Sequence, residues 1–251
     1  MQGAALAEIG LEDWSCEAID VPPDALAERV RAMPRDGFVG ANVTVPHKVA
    51  ALRLADRASD TAREVGAANT LSFENGGIAA ENTDAAGFLA TLPRSPAGMR
   101  ALVLGAGGSA RAVVWSLITR DAEVAIWNRT VKKGEQLAAD FDATSLPTPR
   151  QRLATTDFDL IVNCTTVGMA SADARLEDLP IDIDAIAESQ IVVDLAYGTG
   201  DTDLVQAARA RGATVIDGLE VLVRQGAASL RIWTGKEPPL EVMRRAARTT
   251  S

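Results

Sequence analysis

The sequence holds one histidine, His47, which takes Ser-His-Asp chemistry out of consideration and leaves multi-histidine metal sites without ligands; no metal is expected. Cysteine is equally scarce. Cys16 and Cys164 stand far apart and lack metal-ligand spacing. The chain has no signal-peptide pattern and no apolar run long enough to span a bilayer, so a cytoplasmic location is expected. Broad positive charge is absent too: the formal net charge is -9, with a pI near 4.7. Such a balance offers no basic surface to a nucleic acid backbone or an anionic membrane, and any anion must be captured by a local site. What remains is a chain of 251 residues, 47% hydrophobic and 24% charged, long enough for two modest domains of a small-molecule enzyme built on lysine, carboxylates and a cofactor.

Turn residues cluster at Pro93-Arg94-Ser95-Pro96-Ala97-Gly98, and a domain boundary is expected there. Before it, Trp14 to Val21 and Phe38 to Val45 read as strands, Asp24 to Met33 as a helix, and Leu71 to Ala80 as a hairpin around Asn75-Gly76. After it, apolar strands alternate with helical segments at Arg100 to Leu104, Glu123 to Trp127, Leu160 to Asn163, Ile191 to Leu195 and Thr214 to Ile216. The fold class is therefore α/β, an N-terminal α/β domain followed by a doubly wound Rossmann-type parallel sheet. The expected domains are 1–96 and 97–221. The helices of 222–251, Leu219 to Ile232 at helical spacing and another after Pro238-Pro239, are expected to pack back on the first.

Strand Ala101 to Leu104 runs into Gly105-Ala106-Gly107-Gly108-Ser109-Ala110 and then a helical segment, which fits G-x-G-x-x-A in its strand-turn-helix setting. Gly105 permits the tight turn, Gly107 a close backbone approach to pyrophosphate, and Ala110 close helix packing, with the phosphates on the helix N-terminus. The next strand ends Trp127-Asn128-Arg129-Thr130, with Lys132 and Lys133 beyond. An acidic residue there would bind free ribose hydroxyls, whereas the Arg129 fork suits a 2′-phosphate, so the cofactor is read as NADP(H).

Asn42-Val43-Thr44-Val45-Pro46-His47-Lys48, Gly66-Ala67-Ala68-Asn69-Thr70 and Asn82-Thr83-Asp84 precede the glycine loop. Asn128-Arg129-Thr130, Asn163-Cys164-Thr165-Thr166-Val167-Gly168-Met169, Asp194-Leu195-Ala196-Tyr197 and Asp217-Gly218-Leu219 with Gln225 follow it. In this order and over nearly the whole chain, these segments resemble the shikimate dehydrogenase family. The resemblance implies reversible hydride transfer between NADPH and 3-dehydroshikimate, giving shikimate, in aromatic amino-acid biosynthesis. It implies Lys48 and Asp84 as the catalytic pair, and Thr44, Asn69, Asp84, Tyr197 and Gln225 as the shikimate pocket. It implies Gly105, Ala106, Gly107, Gly108, Ser109, Asn128, Arg129, Thr130, Leu195 and Gly218 as the NADP site, in a monomer or homodimer.

Chemistry agrees with those roles. A ketone that receives hydride needs a proton donor at its oxygen, and a lysine paired with an aspartate supplies one. Three readings stay open beside each other: shikimate dehydrogenase, a quinate or aminoshikimate dehydrogenase, and a non-catalytic NADP-binding relative. The family also opens with a strand and a Ser-x-Ser pair that holds the substrate carboxylate, and Met1 to Leu6 stands where the following helix would begin. A shortened N-terminus and a weaker hold on the carboxylate are expected.

Overall fold

The computed structural model describes residues 1–147, 152–169, 175–198 and 200–250. Contacts divide it into two compact units, one made of Met1–Ala90 with Leu222–Thr250 and the other of Thr91–Val221.

The first unit opens with α1 (Gln2–Glu8) and α2 (Leu26–Ala32), followed by β1 (Gly40–Asn42), α3 (Lys48–Leu54), β2 (Arg57–Ala58) and α4 (Asp60–Val65). Ser59 caps α4 by accepting from the Ala62 N–H at 3.0 Å, and Gly66 ends it at φ 70°, a left-handed conformation that glycine adopts at little cost. Strands β3 (Thr70–Glu74) and β4 (Gly77–Glu81) form a hairpin, and α5 (Thr83–Leu89) follows. Asn75 and Gly76 both have positive φ, 51° and 75°, as a two-residue turn matched to strand twist requires. The sheet runs β1-β3-β4-β2. It is mixed, with β1 and β4 antiparallel to β3 and β2 parallel to β4. Leu26, Val30, Val43, Leu71 and Ile78 form its apolar core.

The Trp14 to Val21 strand is not present. No strand of the described residues includes that stretch, and β1 pairs only with β3. A cavity of about 600 Å³ is lined by Trp14, Cys16 and Ile19 as well as by Gly40 and Asn42 of β1. Side-chain alternation alone does not make a strand; a partner must meet its backbone N–H and C=O groups. Of Phe38 to Val45, the strand spans Gly40–Asn42, with one backbone bond beyond it on each side: the Val39 carbonyl accepts from the Phe73 N–H and the Val43 N–H donates to the Asn69 carbonyl, both at 2.8 Å.

In the second unit, β5 (Arg100–Leu104), α6 (Gly108–Ile118), β6 (Glu123–Trp127), α7 (Val131–Phe141), β7 (Thr144–Ser145), β8 (Leu160–Asn163), β9 (Ile191–Asp194), α8 (Asp203–Ala210) and β10 (Thr214–Ile216) alternate. The sheet order is β10-β9-β8-β5-β6-β7, and every pairing is parallel. Strands β8 and β9 are buried at every position, as helices on both faces of a parallel sheet demand. The chain leaves β5 in both directions, to β6 on one side and β8 on the other. This switch point is where open α/β sheets bind ligands, beyond the carboxyl ends of the strands.

Helices α9 (Gly218–Thr234) and α10 (Leu240–Thr250) end the chain. Within the first unit α10 packs on α1, and Trp233 of α9 donates its indole N–H to the Leu71 carbonyl at 3.0 Å.

Candidate active site

Lys48 is the first residue of α3 and Asp84 the second of α5. Lys48 Nζ lies 2.8 Å from Asp84 Oδ2, with side-chain exposures of 11% and 14%. Asp84 is not the cap of its helix: Asn82 Oδ1 accepts from the Ala85 N–H at 3.1 Å. Relieved of capping, the Asp84 carboxylate accepts from Asn69 Nδ2 at 2.9 Å through its other oxygen. Asn69 is 2% exposed. Its Oδ1 accepts from the Thr83 N–H at 2.7 Å, which fixes the orientation of the amide, and its Nδ2 also lies 3.0 Å from Gln225 Oε1. Gln225, on α9, donates in turn to the Leu222 carbonyl at 2.9 Å.

Lys48, Asp84, Asn69 and Gln225 thus join into one hydrogen-bonded group, although segments far apart in sequence carry them. Close packing holds α9 there, since a Cβ on Gly87 of α5 would lie 2.9 Å from Gln225 N. Thr44 stands outside this group, exposed at the loop after β1 and lining the cavity. Tyr197 belongs to the second unit, half-buried in the loop after β9. His47 is occupied elsewhere, with Nε2 2.7 Å from the Val21 carbonyl.

Sequence reasoning missed the layer beneath. Thr70, Thr83, Ser229 and Asn42 form a hydrogen-bonded cluster at 2.8 to 3.2 Å. Ser229 is 0% exposed. The available signal was its place one turn after Gln225, a polar residue on the inward stripe of an amphipathic helix.

In the second unit Gly105 follows β5 with φ 114°. A Cβ there would lie 3.1 Å from the Cys164 carbonyl carbon and oxygen, so conformation and space both require glycine. Gly107 precedes α6 with nothing within 4 Å of where its Cβ would be, and no side chain caps the helix. An uncapped helix start behind an open glycine leaves backbone N–H groups for an anion. Ala110 is fully buried where α6 meets the sheet, while Gly108 and Ser109 form the first turn beside Ala106.

Asn128, Arg129 and Thr130 follow β6, with Arg129 and Thr130 exposed and Asn128 Nδ2 donating to the Thr130 carbonyl at 2.8 Å. No carboxylate occupies that strand end, so the residues present fit a phosphorylated ribose. Asp194 closes β9, and burial pushes its carboxyl above the ordinary value against the pull of hydrogen bonds from Thr202, Ala196 and Asn163. Those bonds, at 2.5, 3.0 and 2.8 Å, tie the end of β8 to the loop carrying Leu195. Gly218 supports the same loop, since a Cβ on it would lie 2.7 Å from the Ala196 carbonyl. Among the described residues no group of His, Cys, Asp or Glu is placed to hold a metal ion, and no helix is long and apolar enough to cross a membrane.

Three family models match the chain: the shikimate dehydrogenase substrate binding domain over residues 1–71, shikimate / quinate 5-dehydrogenase over 90–209, and the shikimate 5′-dehydrogenase C-terminal domain over 218–248. A shikimate dehydrogenase (NADP(+)) of Methanopyrus kandleri is 41% identical, the match covering 98% of this chain and 88% of that protein. The structure of shikimate dehydrogenase from Aquifex aeolicus superposes with a TM-score of 0.89 at 36% identity, covering 98% of this chain and 91% of that one. The structure of shikimate 5-dehydrogenase from Thermus thermophilus in complex with NADP(H) and shikimate gives a TM-score of 0.86 at 38% identity, covering 100% and 93%. With an ion-paired lysine and aspartate in one unit, a glycine turn at the switch point of the other, and relatives this similar along its whole length, the chain belongs to the shikimate dehydrogenase family.

Proposed function

We propose that the chain is an NADP-dependent shikimate dehydrogenase, catalysing reversible hydride transfer between NADPH and 3-dehydroshikimate in aromatic amino-acid biosynthesis. The observation that carries this reading is the Lys48 Nζ to Asp84 Oδ2 contact of 2.8 Å, beside Asn69 and Gln225. NADPH, when bound, supplies the hydride that reaches the carbonyl carbon. The carbonyl oxygen then gains a proton, and Lys48 is the donor; in the reverse direction a neutral Lys48 accepts the proton of the substrate hydroxyl. Asp84 accepts from the Lys48 nitrogen at 2.8 Å and holds it in place. Gln225 and Asp84 offer acceptor oxygens to the ring hydroxyls, with Asn69 beside them on the family pattern, and a polyol that lacks a matching group leaves an acceptor short of a hydrogen. Thr44 and Tyr197 are added as substrate contacts on the family pattern alone.

The cofactor is held by Gly105, Ala106, Gly107, Gly108 and Ser109 at its phosphates, by Asn128, Arg129 and Thr130 at the phosphorylated ribose, and by Leu195 and Gly218 near the nicotinamide. Residues 1–96 with 222–251 form the substrate domain and 97–221 the NADP domain of a cytoplasmic monomer or homodimer. Preference for shikimate over quinate is part of the proposal, supported by the names of the relatives with NADP-dependent activity. Purified protein given NADP and shikimate will produce the NADPH absorbance, with a higher kcat/KM than for quinate or for NAD. Absence of any shikimate-dependent signal, with NADP still bound by calorimetry, would turn the reading to a non-catalytic NADP-binding protein.

A further inference from the structure

We propose that the buried hydroxyls of Thr83, Thr70 and Ser229 set the hydrogen-bonding sense of the pocket, so that Asp84 and Gln225 together demand a hydroxyl donor from the ligand. The inference rests on shikimate being that ligand.

The direction of the chain follows from counting hydrogens. Ser229 donates to the Gln225 carbonyl at 3.0 Å, which spends its one hydrogen. Its oxygen accepts from Asn42 Nδ2 at 2.8 Å and lies 2.8 Å from Thr70 Oγ1, so Thr70 is the donor in that pair. The other acceptor near Thr70, Asn69 Oδ1, is 3.5 Å away and already takes the Thr83 N–H. With its hydrogen directed to Ser229, Thr70 accepts from Thr83 at 3.0 Å. Thr83, its own hydrogen spent, accepts from Asn69 Nδ2 at 2.9 Å.

Asn69 Nδ2 carries two hydrogens but faces three acceptors: Thr83 Oγ1, Asp84 Oδ1 and Gln225 Oε1, at 2.9, 2.9 and 3.0 Å. Neither amide is free to turn, because the Thr83 N–H holds one and the Leu222 carbonyl the other. Once Thr83 has taken its share, one hydrogen serves two oxygens. Asn69, Thr70, Thr83 and Ser229 are all buried, so solvent does not supply this layer. Water reaches the partly exposed Asp84, and a ligand that displaces this water must replace its hydrogen. A hydroxyl does so; a carbonyl, an ether or a fluorine does not. Thr83 and Ser229 are therefore positioning residues for specificity, acting through Asn69.

The experiment measures dissociation constants for shikimate and for analogues in which one ring hydroxyl at a time is replaced by fluorine, by competition in the presence of NADP. For the unaltered protein, at least one analogue altered away from the reacting carbon binds about tenfold or more weakly, the cost of leaving unpaired an acceptor that the ligand shuts off from water. Thr83→Val releases one Asn69 hydrogen, and the penalty for that analogue shrinks severalfold while NADP affinity is kept. Ser229→Ala lets Thr70 turn its hydrogen to Thr83 and moves the penalty the same way, which covers the case of a Thr83→Val protein that does not fold. Equal binding of all analogues by the unaltered protein overturns the proposal, as does an undiminished penalty in either folded variant. No shikimate binding at all by the unaltered protein would instead overturn the functional reading on which the proposal rests.

Discussion

Lys48 is held by what surrounds it: a carboxylate at 2.8 Å and a position at the start of a short helix. Lys48→Ala will lower kcat by ~10²- to 10⁴-fold, the usual contribution of a positioned acid or base, with NADP affinity within about twofold of the parent by calorimetry, since binding by the other unit does not use it. A variant with full kcat would remove Lys48 from the mechanism. Arg129 tests the cofactor at the same scale. Arg129→Ala removes the guanidinium that follows β6 and will raise the KM for NADP by about tenfold, one lost charge-assisted contact, with little change for NAD. Steady-state rates with both nucleotides check it. These residues were legible because each stands inside a short motif whose chemistry is local. Thr83, Thr70 and Ser229 were not, because their partners come from distant segments and a hydroxyl in a sequence gives no sign of whom it will meet. Thr44 sits in a motif with Lys48 yet lies outside the hydrogen-bonded group, exposed in the loop after β1.

At the scale of elements, the tight joints are glycines. A Cβ on Gly87 would press on the backbone of Gln225, so Gly87→Ala pushes α5 from α9, with a loss of ~1–3 kcal/mol for overpacking and a higher KM for shikimate; denaturant melts and initial rates read the two effects. Gly105→Ala adds backbone strain to a clash with Cys164 and will weaken NADP while sparing shikimate binding measured alone. Five of the six strands described in the second unit were readable from sequence because burial within the sheet writes an apolar run; β7, an edge strand of two residues with an exposed Thr144, leaves no such run and was not. The Asn75-Gly76 hairpin was readable from its turn chemistry. Trp14 to Val21 misled because a strand-like residue pattern does not record whether a neighbouring backbone exists to pair with; Ser15 to Asp20 are all exposed.

For the whole molecule, ligand and proton linkage are the available handles. NADP at a hundred times its Kd will raise the unfolding free energy by ~2.7 kcal/mol if it binds only the folded chain, seen as a rise in Tm that NAD at the same concentration does not match. Asp194 adds a pH dependence. Burial raises its folded pKa, so the folded state holds the proton longer than the unfolded one. Its contribution therefore falls as pH rises from the ordinary carboxylate value of about 3.9 through the raised folded value. Asp194→Asn keeps the contacts with Asn163 and Ala196 and lets the Thr202 hydroxyl turn; stability measured across that window will slope downward less steeply than in the parent. An unchanged slope would mean that other groups govern it.

The first unit is discontinuous along the chain, with Thr91–Val221 lying between its two parts. During synthesis, Asn42, Thr70 and Thr83 leave the ribosome long before Ser229 and Gln225 exist. At ~5–20 residues per second, translation of the intervening stretch takes on the order of ten seconds. Through that interval the polar layer under Lys48 and Asp84 has no α9 to close it, and by its end the second unit has all of its strands. The half begun first is thus the last to be finished, and a nascent chain arrested after Val221, where the second unit ends, should bind NADP without yet having a place for the sugar acid.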